Sequence, residues 1–191
     1  MKNMQEKRKV DGNVISITSF RDVEVDDVNS LLKKMNEQVS FNIQLFNAEN
    51  IAGFKHLFFA AINAINAFNQ KRNISDSLAM ESMLYASGQR QIKKAIEMVG
   101  LKNGNLNIAV LLIDKDEDKI RVAENKVMEL INGKEDKSVL EIRGNTKVKR
   151  LKRLFDISDK EIEAVNVGNR KFENVLTELI IERGALLILE A

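Results

Sequence analysis

The residue types best placed to do chemistry in this chain lie in the stretch ASGQR, residues 86–90. The spacing of apolar residues predicts one helix that ends at Gly88, in the left-handed conformation, and a second that begins near Ser87. The first N–H groups of a helix have no partners within it and attract anions. We therefore expect backbone donors, the Ser87 hydroxyl and the Arg90 guanidinium to converge on a phosphate.

Lys93 and Lys94 follow on the outward face of the second helix, close to its start. Cations at this end oppose the helix dipole, and a bound anion would offset that cost. The alternative is a tight corner between two helices that carries ordinary surface charges. Both interpretations stay open on these residues alone.

Histidine and cysteine chemistry is restricted to one side chain, because the chain has no cysteine and a single histidine, His56. This excludes disulfides, thiolate nucleophiles and cysteine-ligated metal sites. His56 and its neighbour Lys55 lie early in a long predicted helix, where His56 is either a core-edge residue or a contact for a polar ligand. A rival hypothesis is an enzyme or small-molecule binder with a pocket formed by His56, Glu81 and Arg90.

Motifs for nucleotide or metal binding are absent from the sequence. The segments GLKNGN, INGKEDKS and VGNRK contain glycine near lysine but do not form a phosphate loop, and we interpret them as turns. The acidic segment DKDEDK, residues 114–119, lacks the glycine and glutamate of a calcium loop, so we interpret it as a solvated loop. We predict no cofactor and no metal.

The apolar patterns alternate between strand and helix periodicity. Strands are expected at residues 14–20, 39–46, 106–113, 138–142 and 185–190. Helices are expected around Val28–Met35, Phe54–Phe68, Leu78–Ser87, Ile92–Val99, Val122–Ile131, Val148–Phe155 and Phe172–Gly184, with a short one after a capping box at Ser158 and Glu161. This order predicts an α+β fold, with a mixed, mostly antiparallel sheet packed against central and C-terminal helices.

Composition limits the possible partners. Lys and Arg number 30 against 28 Asp and Glu, a net charge of +2, so any nucleic-acid site must be a local patch. No apolar run reaches the roughly 18 residues of a membrane helix. Residues 1–12 are charged, with no apolar segment behind them, and we expect a flexible tail, a single domain over residues 13–191 and a cytoplasmic protein.

The segment KVKRLKRLFDIS, residues 147–158, contains five cations around a narrow apolar stripe. It is a solvated helix face, a basic patch that faces RNA, or a helix that docks on a partner. The sequence does not choose among these three.

Two stretches, AGFKHLFFAAINAINAF and LAMESMLYASGQRQIKKAIEMVG, resemble the PRPK-binding-protein (TPRKB-like) family, the small accessory subunit of the KEOPS complex. The shared pattern is His56-Leu57 in the long helix, Glu81, the run Leu84–Ile92 and then Ala95-Ile96. It covers residues 50–113, and the outer segments agree only in the order of their strands and helices.

This resemblance implies a non-catalytic protein that binds the kinase-like ATPase of the complex. In archaea the family also recruits tRNA by its 3′ CCA end for threonylcarbamoyladenosine modification. We expect a monomer within that larger complex and no membrane contact; the remaining alternative is an adaptor that does not bind RNA. The expected RNA-binding residues are Lys55, His56, Ser87, Gly88, Gln89, Arg90, Lys93 and Lys94. An exposed apolar patch for the ATPase is expected from Leu151, Leu154, Ile157 and Ile162.

Overall fold

The computed structural model describes residues 6–38, 42–168 and 170–187. The strands are β1 (Glu6–Val10), β2 (Asn13–Val25), β3 (Asn42–Asn47), β4 (Gly104–Asp114) and β5 (Lys134–Glu135). The α-helices are α1 (Val28–Gln38), α2 (Phe54–Asn69), α3 (Leu78–Ser87), α4 (Ile92–Val99), α5 (Glu117–Leu130), α6 (Gly144–Leu154), α7 (Asp159–Val165) and α8 (Phe172–Ala185). Short 3₁₀ turns lie at Ala48–Asn50 and Lys137–Val139.

The strands form one antiparallel sheet in the spatial order β1-β2-β4-β3, and the short β5 also pairs with β2. β4 is central and is buried on both faces, which explains its continuous apolar sequence. Its side chains alternate between two cores, with Ala109, Leu111 and Ile113 in one and Ile108, Val110 and Leu112 in the other.

Helices cover both faces of the sheet. α1 and α5 pack on one face through residues such as Met35, Ile120 and Val127. α2, α3, α6 and α8 pack on the opposite face, where Leu57, Leu84 and other side chains form the larger core. The sheet therefore separates the α1–α5 layer from the helices that carry the candidate site.

The predicted fold class, α+β in a single domain, is confirmed, and so are the helix patterns of α2 and α3. Gly88 has a φ of 64° and caps α3 in the left-handed conformation. The Ser158–Glu161 capping box is also present at the start of α7. These features are set by local chemistry, which is why the sequence reveals them.

The expected flexible tail is wrong for residues 6–12. Residues Glu6–Val10 form β1, which pairs with β2 over Glu6↔Ile17 to Val10↔Asn13. Asp11 and Gly12 have φ values of 48° and 74°, as required by a two-residue hairpin turn. Asp-Gly is a strong hairpin signal that the charge of the flanking residues obscured. Residues 1–5 lie outside the described residues.

The strand expected at residues 138–142 is also wrong. Asp136 caps the 3₁₀ turn Lys137–Val139 by accepting a hydrogen bond from the Ser138 N–H at 2.8 Å. Val139 and Leu140 are nevertheless buried, so their apolar character reflects core packing rather than strand pairing.

Two further expectations fail at helix boundaries. α8 continues through Gly184 to Ala185, so the strand expected at residues 185–190 does not begin at residue 185. Residues 188–190 lie outside the described residues, and so do residues 39–41 of another predicted strand. A Cβ at position 184 would lie 2.2 Å from the Tyr85 carbonyl oxygen. Glycine therefore serves a close approach of α8 to α3 rather than a helix end.

Candidate nucleic-acid interface

The junction between α3 and α4 is longer than the sequence predicted. α3 ends at Ser87, and α4 begins only at Ile92 with Gln91 as its N-cap. The N–H groups of Gly88 and Gln89 donate back to carbonyls of α3, at Leu84 and Tyr85. These donors satisfy the end of α3 and do not point at an anion. The helix expected to start near Ser87 is therefore wrong.

Ser87 is not a ligand for a phosphate in this fold. Ser87 is only 1% exposed, and its hydroxyl donates to the Leu84 carbonyl at 3.0 Å. Gly88 is partly buried against α8, where an added Cβ would lie 3.4 Å from the Arg183 carbonyl oxygen. Both residues pack inside the turn between the two helices. The Ser87 hydroxyl is therefore not available for the contact with RNA that the sequence predicted.

His56 is likewise buried, at 1% exposure, and is no stacking surface for a base. The Ala52 N–H donates to its Nδ1 at 3.1 Å, so Nε2 carries the hydrogen and donates to the Ala86 carbonyl at 2.8 Å. Burial lowers the pKa of this imidazole to about 4. His56 therefore joins the start of α2 to the end of α3 as a neutral ring packed edge-on to Phe155.

Arg90 faces a different surface, which we call the Arg90 cleft. Its guanidinium is exposed and donates one hydrogen bond, at 3.4 Å, to the carbonyl of Leu187. The cleft lies between the end of α2, the loop that follows it, α3 and the end of α8. Its lining combines polar residues with apolar ones: Asn66, Ala67, Gln70, Arg72, Ile74, Tyr85, Arg90 and Leu187.

A buried carboxylate holds one wall of the Arg90 cleft. Glu81 is 0% exposed and accepts the backbone N–H groups of Ile74 and Ser75 at 3.0 and 2.8 Å. Burial raises the pKa of this carboxyl, although the two hydrogen bonds and the Arg90 charge act in the opposite direction. Glu81 thereby fixes the loop that carries Arg72 and Ile74.

The other predicted cations are exposed but do not all meet at this cleft. Lys93 and Lys94 lie on the first turn of α4, outside the cleft lining. Lys55 lies at the start of α2 and lines a separate open groove of about 310 Å³, together with Glu141, Glu173 and Glu178. Gln89 is half-buried and lines a third groove, between α4, α6 and α8.

Comparison with known proteins assigns the family. The model of the family described as "Kinase binding protein CGI-121" matches residues 20–187. The chain belongs to the CGI-121 family. It is also 37% identical, over 152 residues, to "Regulatory protein Cgi121" of Methanocaldococcus jannaschii; the match covers 80% of this chain and 87% of that protein.

The apolar patch predicted for this CGI-121 family member is not on the surface. Leu151, Ile157 and Ile162 are buried in the larger core, and Leu154 is half-buried. Their helical spacing matched a surface stripe because a core-facing stripe has the same period. Exposed apolar side chains lie instead on elements such as α4, where Ile92 and Ile96 are 41% and 44% exposed.

The rival pocket of His56, Glu81 and Arg90 does not form. His56 is enclosed by Ala52, Ala86 and Phe155, whereas Glu81 binds the loop behind the Arg90 cleft. Across residues 6–38, 42–168 and 170–187, no group of three or more acidic, histidine or cysteine side chains is placed to hold a metal ion. In the same ranges no helix has the length and apolarity needed to cross a membrane.

Sequence reasoning missed Arg72, Gln70 and Asn66, which line the cleft together with Arg90. The signal was the polar, basic segment 69–72, which begins at the last residue of the long apolar helix α2. Lys71 in that segment has a φ of 57°, so the chain turns sharply there. That turn folds the chain back onto α2, where the Arg72 N–H donates to the Ala67 carbonyl at 2.9 Å.

Proposed function

We propose that this protein is a non-catalytic subunit of a KEOPS-type complex that binds the complex's kinase-like ATPase. The support is membership of a family described as kinase-binding, together with a relative named as a regulatory protein. The buried, neutral His56 also has no free ring nitrogen for proton transfer to a substrate. Tagged protein should co-purify with the cognate kinase-like ATPase, and failure to form that complex from purified components would refute this part.

Within this role, the protein binds tRNA by its single-stranded 3′ CCA end, and the Arg90 cleft is the site. The observation that carries this proposal is the presence of two exposed arginines, Arg72 and Arg90, in one cleft with apolar lining residues that include the buried Ala67 and the exposed Ile74. Arginine binds phosphate through its planar fork and also stacks on bases. Unpaired bases are held by such stacking together with polar contacts to their edges.

The cleft also offers hydrogen-bonding groups suited to base edges. Asn66 and Gln70 each present an amide with donor and acceptor atoms, and Tyr85 contributes the wall of α3. Glu81 accepts hydrogen bonds from the backbone of the neighbouring loop, and the Arg90 guanidinium stays exposed. These features favour a short, single-stranded end over a double helix at this point.

Replacement of Arg90 by glutamate tests the site. We expect Arg90→Glu to weaken binding of intact tRNA by at least about tenfold, because it replaces a phosphate-binding cation with an anion. The melting temperature should change little, since the side chain is exposed and makes one long hydrogen bond. Fluorescence anisotropy and thermal melting measure the two effects.

The matched control is Lys115→Glu, which makes the same charge change at an exposed residue on the loop between β4 and α5. It should retain nearly full affinity for tRNA. Equal losses in the two variants would assign the effect to net charge alone. Unchanged binding by Arg90→Glu would place the tRNA site outside the Arg90 cleft, and no tRNA binding by the wild-type protein would favour a protein that serves only as an adaptor.

A further inference from the structure

The cations of α6 divide into two groups that the sequence does not separate. Lys147 is 5% exposed, and its Nζ donates to the carbonyls of Ala48, Val139 and Leu140. Lys152 forms an ion pair with Asp159. Both therefore serve the fold. The other three, Lys149, Arg150 and Arg153, are exposed and form no ion pair within the described part of the chain.

These three residues, which we call the α6 strip, lie on one side of the helix. At about 100° per residue they fall within an arc of about 100°, and Lys149 and Arg153 are one turn apart, about 6 Å along the axis. Like charges three and four residues apart destabilise a helix. A polyanion along the strip would offset that cost.

The α6 strip adjoins the proposed CCA site. Leu154 and Phe155, which follow the strip, line a groove of about 240 Å³, and Gly88 and Gln89 line the same groove. Arg90 is the next residue beyond Gln89. Arg183, which forms an ion pair with Glu161, and Asp156 also line this groove. The groove itself therefore carries both signs of charge, and the exposed cations of Arg90 and the α6 strip lie beyond its two sides.

Acidic residues line a groove on the side of the sheet that carries α1 and α5. An open groove beside α1 and the end of α5 is lined by Glu24, Asp26, Asp27 and Glu129, with Lys34 as the one cation in its lining. This groove contrasts with the α6 strip, although the helical face also carries the groove that contains Glu141, Glu173 and Glu178. Such a distribution orients a polyanion toward the helical face that carries α6.

We propose that the α6 strip binds the phosphate backbone of double-stranded nucleic acid adjacent to the single-stranded end held in the Arg90 cleft. For tRNA this is the stem next to the CCA tail, so the inference rests on the proposed function. The strip supplies charge without base recognition, because lysine and arginine on an exposed helix face contact phosphates of any sequence. In this arrangement the Arg90 cleft binds the single-stranded CCA end, and the α6 strip increases the affinity by binding the adjacent double-stranded stem.

The test compares two nucleic-acid probes with a strip variant, Lys149→Ala, Arg150→Ala and Arg153→Ala combined. We expect this variant to bind intact tRNA at least about tenfold more weakly, with the slope of log K against log salt reduced by about 2 to 3. A short single-stranded RNA that ends in CCA should bind the variant and the wild-type protein equally. Anisotropy titrations at several salt concentrations give both quantities.

The matched control is Lys33→Ala, Lys34→Ala and Lys119→Ala combined, which removes three exposed lysines from the α1–α5 layer. It should change tRNA affinity by no more than about twofold, because these residues lie on the acidic side. Equal effects of the two triple variants, or full tRNA affinity in the strip variant, would overturn the proposal. So would selective loss of the kinase-like ATPase, since the strip would then face a protein.

The same data separate this inference from the proposed function. If Arg90→Glu weakens binding of both probes while the strip variant binds normally, the CCA site stands and the strip proposal fails. If the strip variant weakens tRNA binding but removal of the CCA end has no effect, the backbone surface stands and the CCA site fails.

Discussion

The two sides of the α3–α4 junction differ although they belong to one sequence motif. On the inner side, His56 and Ser87 are buried, and their polar atoms are satisfied by the backbone. On the outer side, Arg90 is exposed and lines the Arg90 cleft, as does the exposed Arg72. The sequence motif therefore contains buried residues that hold the helices together, such as His56 and Ser87, and an exposed residue, Arg90, that can contact a ligand.

The largest expected effect comes from the inner side. Gly184→Ala would place a Cβ 2.2 Å from the Tyr85 carbonyl oxygen, so α8 must move away from α3. We expect the free energy of unfolding to fall by about 3 kcal/mol. Urea denaturation measures this loss. Because Tyr85 also lines the cleft, tRNA binding by the folded fraction should weaken as well.

A control for this substitution is Gly104→Ala, at a glycine with a φ of 125° and no atom within 4 Å of an added Cβ. Its cost comes from backbone conformation alone, about 1 kcal/mol, and tRNA binding should be unaffected. Equal destabilisation by the two substitutions would contradict the close approach of α8 and α3.

The inner side should also be sensitive to pH through His56. Burial lowers its pKa to about 4 from the ordinary 6.5, so between these pH values the unfolded chain binds a proton that the folded chain does not. The contribution of His56 to stability is complete above about pH 6.5 and is lost as the pH falls toward 4. Its size is about 3 kcal/mol.

His56→Gln provides the comparison, because an amide can accept and donate hydrogen bonds but does not titrate. Between pH 7 and 4 the variant should lose about 3 kcal/mol less stability than the wild-type protein. Denaturant unfolding at each pH gives the two curves. Parallel curves would mean that the ring is not buried as described.

On the outer side, Arg72→Glu should weaken tRNA binding by about tenfold, as Arg90→Glu does, while stability changes by less than about 0.5 kcal/mol. The neighbouring Lys71→Glu makes the same charge change outside the cleft lining and should have a much smaller effect. Filter binding and thermal melting compare the variants. If only Arg90 matters, the cleft does not extend to the end of α2.

The sequence predicted those features of the fold that depend on local chemistry. The left-handed Gly88 and the Ser158–Glu161 capping box were found because they need particular residues at fixed positions. The strand expected at 138–142 failed because buried apolar residues such as Val139 look the same in a strand and in a packed turn. Helix α6 shows the same ambiguity between a core stripe and a docking stripe.

The candidate site was predicted only in part, for a different reason. Arg90 and its exposure follow from its place just outside a helix cap. Burial of His56 and Ser87 depends on α6 and α8, which pack on the junction from more than fifty residues away in the chain. Arg72 reaches the cleft only because the chain reverses at Lys71. Such long-range placement is not encoded in any single motif.

The most direct test of the central claim is the affinity of the purified protein for intact tRNA and for the same tRNA without its 3′ CCA. If the Arg90 cleft holds that single-stranded end, removal of the three nucleotides should weaken binding by at least about tenfold. Equal affinity for the two RNAs would contradict the assignment of the Arg90 cleft.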